Sequence, residues 1–333
     1  MKCLSFMHRT TVVLLRMVSG VGLLVGTWLQ ANTDILVLTP EIPHFQLVVK
    51  GLVNELGEDC RIEVVSFDQY SAIERMGWMI EVYDPKLIVL LGNHTLKSYK
   101  KLLKIGPASM QLRPVIGLMA VFVDREMRTI RHGAGIHYEI QGLTILTNLR
   151  SMTQLPVRRV GVLYRRNLRP FFEDQQSQVR REKIELVGFE IPTKEKIAPK
   201  DLRRGLRHLT ETEAVDTLWV LNDSELLTPR LIRKAWRPVL KRFQGPVVVG
   251  VDQLLRDSVA LGHFAVVPDH LELGVQAADL VWEVRRQQWQ IPENRFRAPI
   301  SVEKILNYRN VGYSLLLRNG AELEVDYIVG ENF

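Results

Sequence analysis

The chain has 333 residues, of which 46% are hydrophobic and 24% charged, the balance of a globular protein without room for long disorder. That length usually divides into more than one core, so two domains are expected. Of the net charge of +7, Lys2, Arg9 and Arg16 supply three positive charges within the first 31 residues; the remainder is mild, and basic clusters such as VRRVGVLYRR and DLRRGLRHL lack the interleaved aromatics of a single-strand binder, so no nucleic-acid partner is expected.

Residues 1–31 read as a signal peptide, with a basic start, the apolar run Met17 to Leu29 and the small residue Ala31 at the cut. The run falls short of the roughly 20 apolar residues that span a bilayer. Leu29 stands where a small residue is preferred, which keeps an uncleaved N-terminal membrane anchor as the alternative. Export to the periplasm is expected in either case. Cys3 falls inside this segment, so Cys60 is the only thiol of the mature chain and no disulfide or cysteine metal site forms within one molecule. Entering a strand in EDCRIEVVSF, Cys60 reads as a small buried hydrophobe.

From residue 33, apolar runs of strand length alternate with amphipathic stretches. DILVLTP is a strand, and HFQLVVKGLVNELG is a helix with Phe45, Val48, Val49, Leu52, Val53 and Leu56 on one face. CRIEVVSF with QYSAIERMGWMIEVY, then KLIVLLG with TLKSYKKLLKIG, repeat the unit, and RPVIGLMAVF adds a strand. After GAGIHYEIQGLTILTNLRSMTQLPV the pattern restarts. The strands RRVGVLYRR, ELVGFEIP, VDTLWVLND and GPVVVGVD are then separated by the helices FFEDQQSQVRREKI, APKDLRRGLRHLTETE and ELLTPRLIRKAWRPVLKRF. Near-continuous apolar strands suit a parallel sheet covered on both faces. The expected fold is therefore α/β, two doubly wound parallel-sheet lobes with a crevice between them.

In open parallel sheets the ligand lies outside the carboxyl ends of the strands, where helix N-termini present free N–H groups. Asn93, His94 and Thr95 follow KLIVLLG at such a helix start, a place that favours anions and acceptors; capping of the helix by Asn93 or Thr95 is the bland alternative. Glu41 and His44, flanked by Pro40 and Pro43 in TPEIPHF, are pinned in a rigid first loop, although Pro43 also suits a plain helix start. Tyr164, Arg165 and Arg166 open the loop that runs to Phe171, and an inward arginine there would grip a carboxylate or phosphate through paired hydrogen bonds. Both arginines as solvated surface groups is the competing reading. Tyr138 offers a ring for stacking or is core, and Trp78, Trp219, Trp236 and Trp282 are assigned to packing. No phosphate loop, nucleophile elbow or metal-spaced histidine pair is present, so neither an enzyme nor a cofactor or metal site is expected.

LPVRRVGVLYRRNLRP, VDTLWVLNDSELL, GPVVVGVDQLLRDSVALGHFAVVPDHLELGVQAADLVWEV and RAPISVEKILNYRNVGY resemble, in order and spacing, the type I periplasmic solute-binding proteins of ABC transporters. The resemblance runs over residues 33–317 and is most specific from Leu273-Gly274 to Ala278. It implies three hinge crossings, with a first lobe of 33–146 plus 269–297 and a second of 147–268 plus 298–333. It implies a small polar or anionic solute trapped by hinge closure, and an inner-membrane ABC permease as partner. A ligand-free or ligand-sensing interaction protein on the same fold, serving an envelope sensor, is the alternative, favoured by the bulky loop at 164–172. Asn222 and Asp223 fall at the family's ligand loop, with Asp223 the prime contact for a ligand donor or else a helix cap, and Asp252 aligns with the strand-ending acid, for binding or for the hinge. Gly92-Asn93-His94-Thr95-Leu96, Val121-Phe122-Val123-Asp124 and Tyr164-Arg165-Arg166-Asn167 depart from the family's small polar loops, which argues against a small zwitterion held by serines and threonines.

Overall fold

A computed structural model describes residues 33–106, 110, 112–192, 196–256, 258–310 and 315–330; the signal-like segment 1–31 lies outside the described residues. The strands of the first half are β1 (Ile35–Thr39), β2 (Ile62–Ser66), β3 (Leu87–Leu91), β4 (Val115–Leu118) and β5 (Gly133–Ile136). Those of the second half are β6 (Arg159–Arg165), β7 (Glu185–Ile191), β8 (Thr217–Val220), β9 (Val247–Val249) and β10 (Phe264–Pro268), followed by β11 (Phe296–Arg297), β12 (Val302–Asn307) and β13 (Tyr327–Val329). They build two sheets, a six-stranded one in the order β11-β5-β4-β3-β1-β2 and a seven-stranded one in the order β13-β12-β10-β9-β8-β6-β7. Every pairing in the first sheet is parallel. In the second, β12 runs antiparallel to β10.

Each sheet is covered on both faces, and the alternation along single strands shows how. Ile35 and Val37 of β1 face helices α1 (Pro43–Leu56) and α10 (His270–Arg286), whereas Leu36 and Leu38 face α2 (Ile73–Tyr83) and α3 (Asn93–Ile105). Val160 and Val162 of β6 meet α5 (Gly142–Met152) and α6 (Arg169–Val179), and Leu163 shares the opposite core with α7 (Pro199–Arg207), α8 (Pro229–Leu231) and α9 (Arg237–Leu240). The inner parallel strands are apolar along their buried lengths because both faces are dry, whereas the antiparallel β12 carries Glu303, Lys304 and Asn307. The edge strands differ, with Glu63 and Val64 of β2 and Glu185 and Gly188 of β7 exposed.

Three connections pass between the sheets: from β5 to β6, from β10 into α10, and from β11 to β12. The first falls at residues 137–141, earlier in the chain than 146, because Ile140, Ile145, Leu146 and Leu149 are buried in the second lobe's core. Helix α10 follows a strand of the second sheet yet lies against α1 of the first. Two glycines allow that approach: a Cβ on Gly51 would stand 2.2 Å from the Leu271 carbonyl oxygen, and one on Gly274 would stand 2.2 Å from that of Val48. The Leu273–Ala278 stretch that carries the sequence resemblance is thus the seam that joins the second crossing to the first lobe.

Trp219 and Trp236 are buried and Trp282 packs partly against the core, but Trp78 is 58% exposed. On α2, Met76, Met79 and Ile80 take the inward face, which turns Trp78 to the opposite side. Cys60 is buried in the first-lobe core. Among the described residues no helix is long and apolar enough to cross a membrane.

Substituting Gly274→Ala forces α1 and α10 apart, and a loss of about 1–3 kcal/mol is expected from the overpacking. The urea midpoint of the variant against the wild type measures it.

Candidate ligand cleft between the lobes

A cleft of about 330 Å³ opens where the first crossing meets the strand-end loops of both sheets. The first lobe contributes Phe122, Asp124 and Arg125 from the turn and short helix α4 (Val123–Glu126) that follow β4. The crossing contributes His137, Glu139 and Gln141, and α6 of the second lobe contributes Phe171, Asp174 and Gln175. The lobes touch at the rim of the cleft. Phe122 meets Phe171 edge to face with ring centroids 5.3 Å apart, and Arg125 Nη1 donates to the Asn167 carbonyl at 2.7 Å. Towards the strand ends the space narrows to a gap of about 10 Å³ lined by the same two phenylalanines, Trp219, Asn222 and Gly250.

The turn that presents Phe122 is strained. Phe122 sits at φ 54°, ψ 51°, a left-handed conformation that disfavours a bulky side chain by about 1–2 kcal/mol. Side chains on either side of the turn hold it there. Asn93 clamps Val121 from both ends of its amide, donating to the carbonyl and accepting from the N–H, each at 2.9 Å. Glu139 Oε1 accepts the Phe122 N–H.

The second oxygen of Glu139 has no hydrogen-bond partner among the described residues, although the side chain is only 9% exposed. His137 Nδ1 lies 4.0 Å from it, too far for a hydrogen bond. Burial pushes the Glu139 carboxyl up to about 7, against the bond from the Phe122 amide and aided by the charge of Asp124. Burial likewise lowers the pKa of His137, opposed by Asp124. Among the described residues no group of three or more histidines, cysteines or acids is arranged to hold a metal ion.

The residues singled out by sequence, Asn222 apart, divide into three sets. Asn93, Thr95, Arg165, Asp223 and Tyr164 are absorbed by the scaffold. The helix cap at α3 is Gly92, without a side-chain bond, so neither Asn93 nor Thr95 caps it; Asn93 braces the Phe122 turn and Thr95 is buried. Arg165 Nε donates to Asp223 Oδ2 at 2.6 Å, and Asp223, 1% exposed in its side chain, also accepts the Glu225 N–H. The arginine expected to seek an anion is therefore satisfied by the acid expected to seek a donor. Arg166 pairs with Glu190 on the surface. Tyr164 stacks on Phe172 at 4.5 Å, its hydroxyl raised in pKa first by burial and then by Glu190.

A second set does converge between the lobes. His44 Nε2 at the start of α1 lies 3.5 Å from Asp252 Oδ2 beyond β9, and its ring is 4.8 Å from that of His270. His270 Nε2 lies 3.2 Å from the Tyr138 hydroxyl, and Arg256 also holds Asp252. Burial, with the neighbouring His44, lowers His270 to about 4, so it is neutral. Glu41 and His94 form the third set, exposed at the surface, with His94 Nε2 3.4 Å from the Ser98 hydroxyl. Asn222 donates to the Gly250 carbonyl at 3.0 Å and lines the narrow gap, its own carbonyl oxygen lacking a partner. The sequence reading missed Phe122, Asp124, Arg125, His137, Glu139 and Phe171 as a site, although both Phe122 and Phe171 stand at the strand-end loops it had marked.

No family model matches the chain, and no curated protein matches its sequence. Solved structures do match its fold. A substrate-binding protein with adhesive properties from Clostridium difficile, in a ligand-free, open structure, is 11% identical, covers 90% of this chain and 100% of its own, and superposes with a TM-score of 0.61. An ABC domain in complex with L-Trp from Streptococcus pneumoniae is 16% identical, covers 89% of this chain and 100% of its own, with a TM-score of 0.55. The chain has the two-lobed fold of type I periplasmic binding proteins.

Two outcomes are expected, one in the second-lobe scaffold and one in the cleft. Arg165→Ala leaves the buried Asp223 carboxylate uncompensated and destabilises the second lobe by about 2–4 kcal/mol, read by denaturant unfolding. Glu139 holds its proton more tightly folded than unfolded, so its contribution to stability is full below about 4.5 and is lost as the pH climbs through about 7. Glu139→Gln removes that loss, and its stability relative to wild type is expected to rise by about 1–3 kcal/mol from pH 5 to pH 8.

Proposed function

We propose that the chain is an exported solute-binding protein of an ABC-type system, which traps a small polar ligand between its lobes and presents the closed form to an inner-membrane permease. The carrying observation is the cleft of about 330 Å³, walled by both lobes and by the first crossing, with a buried carboxylate oxygen that no described residue satisfies. Its size stands at the low end of small-molecule sites. Binding there joins the α4 turn to the start of α6, so it couples directly to the angle between the lobes. The periplasm is the compartment that suits the signal-like start of the chain. No covalent chemistry is required of any residue in the cleft.

One observation favours the second reading, an interaction protein without a ligand. Phe122 and Phe171 meet across the cleft and leave only about 10 Å³ at the strand ends, where ring and amide side chains fill the space. Thermal unfolding of the purified protein against a panel of amino acids, amines, carboxylates, sugars and nucleosides separates the two. A binder at a hundredfold excess over its Kd is expected to stabilise by about 2.7 kcal/mol. Silence across the whole panel would leave the interaction protein as the reading.

A further inference from the structure

We propose that the cleft selects a small organic cation, an amine or amidine with an apolar body, its positive group between Glu139 and Asp124 and its body against Phe122 and Phe171; this rests on the solute-binding reading above. The charges lining the cleft make the case. Asp124, Glu139 and Asp174 are acids, and Arg125 is the only arginine or lysine among its lining residues. That arginine is already engaged, by the Asn167 carbonyl and by the Phe122 ring, over which its guanidinium lies at 5.4 Å. Asp174 accepts the side-chain amides of Gln175 and Gln178, and Gln175 in turn accepts the Gly142 N–H. His137, with its lowered pKa, stands 3.9 Å from Asp124 and 4.0 Å from Glu139, beyond hydrogen-bond reach of both.

Glu139 Oε2 is the buried acceptor of the lining left unused, and the half-exposed Asp124 beside His137 accepts no hydrogen bond from a described residue either. An anionic solute would meet the three acids there, and a neutral one would bring no charge to pair with the ionised form of Glu139. An ammonium or amidinium answers both. It supplies the missing donor to Oε2 as a charge-assisted bond, and the faces of Phe122 and Phe171 favour a cation with an apolar body. Binding a cation to Glu139 competes with its proton, so affinity depends on pH through the groups facing that carboxyl: Asp124 and Arg125 from α4, His137 from the crossing and Asp174 from α6.

The test is titration calorimetry of the full chain with benzylamine, phenethylamine and benzamidine, each against phenethyl alcohol and hydrocinnamate, in wild type and in Glu139→Gln and Asp124→Asn. At least one of the cations is expected to bind about tenfold or more tighter than the alcohol, with hydrocinnamate weaker still. Glu139→Gln, which keeps the bond to Phe122, is expected to lose at least about tenfold in cation affinity, and Asp124→Asn to lose less. Wild-type cation affinity is expected to fall at least about tenfold from about pH 8 to about pH 5. Equal or tighter binding of hydrocinnamate or the alcohol, or cation affinity untouched in a folded Glu139→Gln, overturns the assignment. If a neutral or anionic solute of the wider panel binds while every cation fails, the cation falls and the solute-binding reading stands. If nothing binds, both fall.

Discussion

The first crossing between the sheets sets Glu139 with one oxygen on the Phe122 amide and the other without a partner. The engaged oxygen does structural work: with the Asn93 clamp on Val121, it holds Phe122 in a left-handed conformation that its side chain disfavours. The free oxygen is the opposite case, a buried acceptor that folding has desolvated and not repaid. A strained turn and an unsatisfied carboxyl therefore meet at one residue, on the segment that must bend if the lobes move. Strain kept in place by neighbouring bonds is what a binding loop uses to stay ready for a ligand.

The rest of the inter-lobe surface is largely self-satisfied. Arg165 is neutralised by Asp223, Gln175 bolts the start of α5 to α6, and His44 reaches Asp252 across the gap. Each of these contacts removes a candidate for ligand recognition. They also tie strand-end loops of the two sheets into fixed positions, so the few groups left over stand out. The contact of Phe122 with Phe171 and the bond from Arg125 to Asn167 bring the lobes together at the rim, both between the α4 turn and the start of α6.

The fold was readable because its inner parallel strands are buried on both faces and carry their signal locally: ILVLT, LIVLL and the VGVLY stretch of β6 are apolar without any knowledge of their neighbours. Gly274 was readable as part of a resemblance, and the structure supplies its reason, the approach of α10 to the Val48 carbonyl. The site was less so. Loop positions could be marked, but partner choice could not: Arg165 and Asp223 lie 58 residues apart in sequence, and nothing local says that each answers the other. Glu139 was missed for a related reason. In GIHYEIQG it is one polar residue among several, and its burial comes from the turn after β4 and from α6, which the chain brings to it from either side. Trp78 failed differently, since an aromatic residue on an amphipathic helix is apolar by type but placed by its angle around the helix axis.

Amide hydrogen exchange on the full chain, with and without a bound solute, tests the central claim most directly, namely that one cleft joins both lobes to the crossing. Concerted protection of residues 121–126, 137–141 and 167–175 is the expected result. Protection confined to one lobe, or to the outer face of α7, would contradict it.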